Sequence, residues 1–306
     1  MYLILLLCLI SAVLLGGAWY AFRVAFYSPP RTGELKPNVK GPQYDPYRKE
    51  MSRIYHQLAD RPCEYVSITS YDGLTLSGRY YHVKDGAPLD IGFHGYRSSP
   101  MTDFSGGSEL SFEMEHNLLL VDQRAHGKSE GRTIAFGVQE RQDLLKWVNY
   151  AVERFGADVK ILLYGVSMGG ATVLMASELA LPSNVKGIVA DCPFASPIDV
   201  ILHVGKDMPV PDWLIRPFAI LGAKIFGGFD LTEADARESV RHTTVPILII
   251  HGEADHYVPC ELSDITASNP SMVTRYTFPE ADHGICYLVD TPRYQTIVTE
   301  FINRVL

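Results

Sequence analysis

The sequence contains few cysteines, and none of them has the spacing of a metal site or a redox motif. Among the 306 residues there are five: Cys8, Cys63, Cys192, Cys260 and Cys286. No two of them are separated by just two residues, so a C-x-x-C motif that binds zinc or exchanges disulfides is excluded. The lack of a disulfide framework favours a reducing compartment.

Basic residues are also fewer than acidic residues. Lys and Arg number 27 against 35 Asp and Glu, which gives a formal net charge of -8. Nucleic acid requires a basic face, so we exclude it as a partner. The hydrophobic fraction of 47% suits a globular protein with a sizeable core, and the length allows one large domain or two small ones.

Charge is absent altogether from residues 1–22, MYLILLLCLISAVLLGGAWYAF. About 20 apolar residues cross a bilayer as a helix, so we expect a single transmembrane anchor here. The run is longer than the core of a signal peptide, and no Lys or Arg precedes it. Gly16-Gly17-Ala18 still offers a cleavage site, so a cleaved signal peptide remains the alternative.

The membrane side depends on the charges that follow this segment, namely Arg23, Arg31, Lys36 and Lys40. With an anchor, the positive-inside rule leaves the rest of the chain on the cytoplasmic side. A cleaved signal peptide would deliver it outside the cell. Both topologies stay open, with the cytoplasmic one favoured.

Residues 23–60 read as a connecting segment because five prolines interrupt them: Pro29, Pro30, Pro37, Pro42 and Pro46. One short helix is predicted there, over MSRIYHQLAD.

Residues 61–306 are predicted to form one domain. EYVSITS and LTLSGRYYHV flank Tyr71-Asp72-Gly73, which predicts a β-hairpin. The later strands alternate with helices, which predicts an α/β fold with a mostly parallel, twisted sheet covered by helices on both faces.

The stretch from residue 195 to about 243 interrupts this alternation. It lies between two predicted core strands and is rich in proline and large apolar residues, so we predict a short helical cap over one end of the sheet. Its apolar side chains would line a lid or a pocket, or simply pack the cap onto the core: Trp213, Leu214, Ile215, Phe218, Ile220, Leu221, Ile225 and Phe226.

One serine joins a predicted strand, VKILLYG, to a predicted helix. Gly165-Val166-Ser167-Met168-Gly169 fits the G-x-S-x-G nucleophile elbow in the context that this motif requires. The glycines let the strand and the helix approach each other closely. The helix N-terminus then directs free N–H groups and a positive dipole towards the site. The N–H of Met168 is expected to be one oxyanion donor.

A serine hydroxyl needs a base, and the motif requires an acid and then a histidine later in the chain. Asp255 follows the predicted strand VPILIIHG, and His283 follows the next strand, MVTRYTF. Ligands bind at the carboxyl ends of the strands in open α/β sheets. We therefore expect Ser167, Asp255 and His283 to converge there.

These segments give the chain a family resemblance. FHGY, DQRAHGKSEG, GVSMGG, HGEADHYVP and ADHG occur in the order typical of α/β-hydrolases. Over roughly residues 60–306 the chain resembles the serine-aminopeptidase-like and monoglyceride-lipase-like branch, and uncharacterised bacterial hydrolases with an N-terminal membrane segment. The resemblance implies the α/β-hydrolase fold. It makes Ser167 the nucleophile, His283 the general base and Asp255 the residue that orients it.

The resemblance also assigns supporting residues. The N–H of Tyr96 is implied as the second oxyanion donor. Arg97 is expected to make a surface salt bridge or to pair with an acidic substrate group. In DQRAHGKSEG, Ala125 replaces the usual glycine, and the polar side chains of Asp122, Arg124 and His126 are expected to shape the loops below the site.

Other acids and histidines are rivals for the triad. Glu253 and Asp191 could supply the acid, although we expect the first to order its loop and the second to make a structural contact. Asp282 adjoins His283, and adjacent side chains do not readily meet. For the base, we expect His251 to belong to a strand end and His256 to the acid loop.

The chemistry expected is acyl transfer by a serine hydrolase, without a metal or an organic cofactor. Carboxylic esters, including lipid esters, are the favoured substrates. An aminopeptidase or amidase of the same fold is an alternative, in which Asp207, Asp212 or Asp230 of the cap would bind a free amine. A non-catalytic, membrane-tethered binding module is another. The sequence does not give the oligomeric state.

Overall fold

One sheet of eight strands forms the centre of the molecule. A computed structural model describes residues 1–29 and 41–306, so Pro30, Arg31, Lys36, Pro37 and Lys40 lie outside the described residues. The strands are β1 Glu64–Thr69, β2 Thr75–Tyr81, β3 Leu89–Phe93, β4 Asn117–Val121, β5 Ile161–Val166, β6 Val185–Asp191, β7 Ile247–Gly252 and β8 Val273–Phe278. Their order is β1-β2-β4-β3-β5-β6-β7-β8.

The strand directions match the predicted α/β sheet. β1 and β2 form the predicted antiparallel hairpin, and β2 is also antiparallel to β4. Every other neighbouring pair is parallel. Each residue of β3 and β4 is buried, as expected for strands that helices cover on both faces.

Helices follow most strands and cover the sheet. In chain order they are α1 Tyr2–Ala21, α2 Arg48–Ala59, α3 Pro100–Asp103, α4 Ser105–Glu113, α5 Glu140–Phe155, α6 Met168–Ala176, α7 Pro197–Gly205, α8 Asp212–Gly222, α9 Ala236–Ser239, α10 Cys286–Val289 and α11 Thr291–Val305. π-helical turns extend α1 and α8 over Phe22–Phe26 and Ala223–Gly227. Short 3₁₀ turns cover Pro42–Tyr47, Val240–His242, Cys260–Ser263 and Thr266–Ser268.

The sequence pattern did not predict α3 and α4. Their stretch contains Ser105-Gly106-Gly107-Ser108, which has neither helical apolar spacing nor strong helix formers. A start signal is nevertheless present. Ser99 caps α3 by accepting a hydrogen bond from the N–H of Thr102 at 3.3 Å, and Pro100 occupies the first helical position.

The N-terminal helix is partly free and partly packed on the domain. Residues Tyr2–Phe26 are long and apolar enough to span a membrane, with a mean hydropathy of 2.3, although length and composition alone do not establish a span. The side chains before Gly17 are exposed, whereas Ala18, Phe22 and Phe26 are buried. The last turns of this helix pack against α8, where a Cβ on Gly222 would lie 2.6 Å from the carbonyl oxygen of Ala18. The sequence did not predict this contact.

The turn between β5 and α6 depends on two glycines. A Cβ on Gly169 would overlap the carbonyl oxygen of Phe93 at the end of β3, and one on Gly165 would overlap the carbonyl of Gly169. Between them, Ser167 adopts φ 55° and ψ -116°. Such a conformation costs a non-glycine residue roughly 1–3 kcal/mol, so the surrounding packing must hold it.

Replacing Gly169 with alanine should therefore destabilise the protein. The new methyl group meets backbone rather than a flexible side chain, so we expect a loss of at least about 2 kcal/mol and a melting temperature lower by about 5 °C or more. Thermal unfolding of the full chain in detergent measures this. Gly107→Ala in α4 is the matched control, because its methyl would lie 3.7 Å from Phe104, an ordinary contact. A wild-type melting temperature for Gly169→Ala would contradict the account.

Candidate active site

The predicted site residues lie at one edge of the sheet. Ser167 directly follows β5, Asp255 lies three residues after β7, and His283 lies five residues after β8. Because these strands are parallel neighbours in the order β5-β6-β7-β8, their carboxyl ends meet at the same edge. The loop after β3, which carries Tyr96, reaches this edge as well.

The three side chains form one hydrogen-bonded chain. Nε2 of His283 lies 3.0 Å from Oγ of Ser167, and Nδ1 lies 2.7 Å from Oδ2 of Asp255. An ionised carboxylate can only accept, so Nδ1–H donates to Asp255. The lone pair of Nε2 is then directed at Ser167, whose hydroxyl donates to it.

Asp255 is a buried carboxylate with several donors. Its Oδ1 accepts hydrogen bonds from the N–H groups of Tyr257 and Val258 at 2.9 and 2.7 Å. Its Oδ2 accepts from Nε2 of His251 at 3.1 Å as well as from His283. Burial acts to raise the pKa of Asp255, but the hydrogen bonds from the two histidines outweigh it and hold the pKa well below its usual range.

The charge of Asp255 also changes the basicity of His283. Burial acts to lower the pKa of this imidazole, while the hydrogen bond and the negative charge of Asp255 act to raise it. The second effect is the larger, so the pKa of His283 lies above its ordinary value. His283 is thus held in one tautomer and made a stronger base.

The rival residues have other partners. The exposed Glu253 accepts a hydrogen bond from Thr277 at 2.6 Å, and Asp282 binds the exposed ring of His256 at 3.0 Å. The buried Asp191 accepts from the hydroxyl of Tyr294 at 3.0 Å, and burial raises its pKa to about 6. None of these carboxylates binds the imidazole of His283 in the described part of the chain.

Cys192 is a second potential nucleophile near the base. Its Sγ lies 4.0 Å from Nε2 of His283, but burial raises the pKa of the thiol well above its usual value and keeps it protonated. Donor atoms of Cys192, Asp255 and His283 lie within 4.8 Å of one another, the spacing of a metal site. A protonated thiol is a poor ligand, and binding through His283 would compete with Ser167.

The loop after β3 passes directly beside Ser167. A Cβ on Gly95 would lie 3.3 Å from the Cβ of Ser167. The N–H of Gly95 donates to Oδ2 of Asp103 at 2.6 Å, and the N–H of Arg97 donates to Nε2 of His126 at 3.0 Å. The backbone is therefore fixed on both sides of Tyr96, the residue implied as an oxyanion donor.

Sequence reasoning missed Asp103, which anchors this loop from α3. Its Oδ1 accepts from the hydroxyl of Ser98 at 2.5 Å, and its burial raises its pKa. It also missed Tyr44, whose hydroxyl donates to the carbonyl oxygen of His283 at 3.1 Å. Tyr44 lies in the predicted connecting segment, where no motif indicated a role in the site.

The expected polar network below the site is present. Arg124 donates to Asp143 at 2.6 Å and also binds Asp72. The carboxylate of Asp122 accepts from the N–H of Lys128 at 3.0 Å. Ala125 adopts φ 62°, the left-handed conformation that explains why a glycine is usual at this position.

Arg97 differs from the sequence expectation. Its guanidinium donates to the carbonyl oxygens of Val24 and Tyr27 at 2.9 and 3.1 Å, and the hydroxyl of Tyr96 donates to Ala25 at 2.8 Å. The expectation of a surface salt bridge was thus wrong, because the free carbonyls at the end of the N-terminal helix take its place. The loop beside Ser167 is thereby joined to that helix.

Two cavities share Ser167. One has a volume of about 650 Å³ and is also lined by His283, Tyr44, Asp103 and Tyr287. The other has a volume of about 470 Å³, and its lining is mostly apolar side chains of the cap and the N-terminal helix, together with Tyr96, Arg97 and Tyr257. Both volumes are typical of sites for small ligands.

Comparison with known proteins identifies this architecture. A model of the alpha/beta hydrolase fold matches residues 93–225. The Pyrococcus furiosus esterase PF2001 superposes with a TM-score of 0.68 at 24% identity, covering 92% of this chain and 98% of the esterase. The chain therefore has the α/β-hydrolase fold, as the resemblance implied.

Two bacterial relatives of unknown function are also similar. The uncharacterised protein YqkD of Bacillus subtilis is 26% identical over 64% of this chain and 65% of its own length. The uncharacterised protein YfhR of Escherichia coli K12 is 26% identical over 66% of each chain. The matched region thus spans just under two thirds of these relatives.

Removing the carboxylate charge should lower the pKa of His283. In Asp255→Asn the hydrogen bond and the charge that raise the pKa are lost or weakened, whereas burial still lowers it. The ¹⁵N shifts of labelled histidine, followed against pH and assigned with His283→Gln, measure the change. The matched control is Glu253→Gln, an exposed carboxylate two residues earlier, which should leave the titration where it is. An unchanged midpoint in Asp255→Asn would contradict the assigned cause.

Proposed function

We propose that the chain is a serine hydrolase that cleaves carboxylic esters through an acyl-enzyme. The observation that carries the proposal is the continuous hydrogen-bonded chain from Ser167 through His283 to Asp255, with heavy-atom distances of 3.0 and 2.7 Å. These distances suit proton transfer from a nucleophile to a positioned base. The fold it shares with esterases supports the reaction class.

In the first half-reaction, Oγ of Ser167 bonds to the carbonyl carbon of the ester while its proton passes to Nε2 of His283. The carbonyl electron pair moves onto oxygen. When this tetrahedral intermediate collapses, the bond to the alcohol oxygen breaks, and that oxygen takes the proton from Nε2. The acyl group remains on Ser167.

In the second half-reaction, water gives a proton to Nε2 while its oxygen bonds to the acyl carbon. Collapse returns the proton to Oγ and releases the carboxylic acid. Asp255 stays ionised throughout and stabilises the imidazolium each time it forms. Because His283 must be neutral to accept the first proton, the rate should rise with pH through its raised pKa.

The developing oxyanion needs two donors. We assign these to the N–H of Met168, the first residue of α6, and the N–H of Tyr96. The start of α6 supplies a favourable dipole, and the hydrogen bonds of Gly95 and Arg97 hold the Tyr96 loop in advance. Preorganised donors of this kind contribute roughly 3–4 kcal/mol each to transition-state stabilisation.

The cap favours an ester over an aminoacyl substrate. Recognition of a free amine by the cap would require one of its acidic side chains to line the pocket. Asp207 and Asp212 are exposed, and Asp230 accepts hydrogen bonds from Thr232. Among the described residues that line the two cavities, the cap contributes no carboxylate.

Fluorophosphonate labelling tests the nucleophile. The wild-type chain should be labelled and should hydrolyse p-nitrophenyl esters faster than aminoacyl anilides, because the pocket suits an apolar acyl group. Ser167→Ala should abolish labelling and reduce turnover by at least about 10³-fold. Ser271→Ala, an exposed serine with a local hydrogen bond to Asn269, is the matched control and should behave as wild type. Unchanged turnover in Ser167→Ala would overturn the mechanism, and faster anilide turnover would overturn the ester preference.

For localisation, we propose a membrane anchor over residues 1–22, a connecting segment over 23–60 and a hydrolase domain over 61–306 with its cap at about 195–243. The membrane and an ester substrate are then its partners. The basic residues after the anchor favour a cytoplasmic catalytic domain.

Protease treatment of intact cells that express the chain with a C-terminal tag tests this topology. The tag should be protected until the membrane is opened, and the chain should keep its full length. Digestion in intact cells, or a product that lacks the first 18 residues, would contradict the cytoplasmic anchor. As a control, the same tag on a secreted protein shows that the protease is active.

A further inference from the structure

We propose that the N-terminal apolar helix forms one wall of the acyl-chain site, and that the substrate is a long-chain acyl ester drawn from the bilayer. This inference rests on the proposed serine hydrolase. It begins with the cavity of about 470 Å³, which has Ser167 in its lining together with Gly17, Tyr20, Ala21 and Val24 of the helix and its extension. The hydroxyl and the membrane helix therefore border one space.

The opposite wall is supplied by the cap. Ile201 of α7 and Leu214, Ile215 and Phe218 of α8 line the same cavity. Every one of these side chains is apolar, and a lining of this kind binds an alkyl chain by removing it from water. A short acyl group would leave most of this apolar surface uncovered.

The helix is held in this position by specific contacts. A Cβ on Gly17 would overlap the ring of Phe218, and one on Gly222 would lie 2.6 Å from the carbonyl of Ala18, so the backbones approach closely. Beyond the helix, Tyr96 and Arg97 donate to the carbonyls of Ala25 and Val24 at 2.8 and 2.9 Å. The wall is thus fastened both to the cap and to the loop beside Ser167.

The exposed part of the helix has the length to reach across most of a bilayer. Residues 1–16 are exposed and extend about 24 Å at 1.5 Å per residue, against a hydrocarbon core of about 30 Å. Trp19 and Tyr20 follow, residue types that prefer the membrane interface. The cavity is therefore lined by the last turns of the proposed anchor, next to the residues that prefer the interface.

The cavity also opens to the surface beside the helix. Tyr20, Val24 and Val204 line it and are 60%, 42% and 41% exposed. Trp213, at the start of α8, is 75% exposed. An apolar opening of this kind suits contact with lipid, so an acyl chain can pass from the bilayer to Ser167 without crossing water.

Filling the cavity from the helix tests the proposal. In the full chain in detergent, Val24→Trp should reduce kcat/KM for p-nitrophenyl dodecanoate about tenfold relative to p-nitrophenyl acetate, since the larger ring occupies the space of the chain. Leu214→Trp, from the opposite wall, should have the same effect and serves if the first variant does not fold. The matched control is Val13→Trp, an exposed position on the same helix outside the cavity, which should keep the wild-type ratio.

Labelling with a small fluorophosphonate distinguishes a failure of the acyl-chain site from a failure of the proposed serine hydrolase. Labelling of Ser167 should proceed in all four proteins, because the hydroxyl itself is unchanged. If Val24→Trp and Leu214→Trp are both labelled and keep the wild-type ratio of dodecanoate to acetate turnover, the proposed acyl-chain site is wrong, while the proposed serine hydrolase is unaffected. If the wild-type chain is not labelled, the proposed function itself fails.

Discussion

The position of the serine hydroxyl depends on how closely three backbone segments approach one another. There is no room for a Cβ on Gly169 beside β3 or on Gly165 beside α6, so β3, β5 and α6 meet at backbone contact. This contact holds Ser167 at φ 55°. The Gly95 loop lies so close to Ser167 that a Cβ on Gly95 would be 3.3 Å from the Cβ of Ser167. Ser167 and the loop that carries the proposed oxyanion donor Tyr96 are thus arranged by one packing constraint.

The charge of Asp255 sets the protonation state and the orientation of His283. Asp255 is desolvated, yet four N–H donors keep it ionised: two from its own loop, one from His251 and one from His283. A negative charge held in this way raises the basicity of His283 and fixes its tautomer. On the other side of the site, Tyr96 and Arg97 connect the oxyanion loop to the N-terminal helix. The N-terminal helix and the geometry of the candidate site are therefore structurally linked.

The mostly parallel sheet, the hairpin and the convergence of Ser167, Asp255 and His283 follow from local patterns, because the carboxyl ends of parallel strands lie at one edge of the sheet. Asp103 and Tyr44 could not be predicted, since neither lies in a motif and their roles arise from contacts distant in sequence. The helices α3 and α4 were missed because Ser and Gly conceal their periodicity. Gly17 and Ala18 were interpreted as part of a membrane anchor or of a cleavage site, and their packing against α8 was not predicted because small residues suit all three roles.

The most direct test of this arrangement is a crystal structure of the full chain after reaction with a fluorophosphonate that carries a dodecyl chain. The account predicts a bond from phosphorus to Oγ of Ser167, a phosphoryl oxygen hydrogen-bonded to the N–H groups of Tyr96 and Met168, and the alkyl chain between the N-terminal helix and α8. An adduct on another residue would contradict the proposal that Ser167 is the nucleophile. A chain directed away from the helix, with the phosphorus on Ser167, would contradict the link between membrane and site.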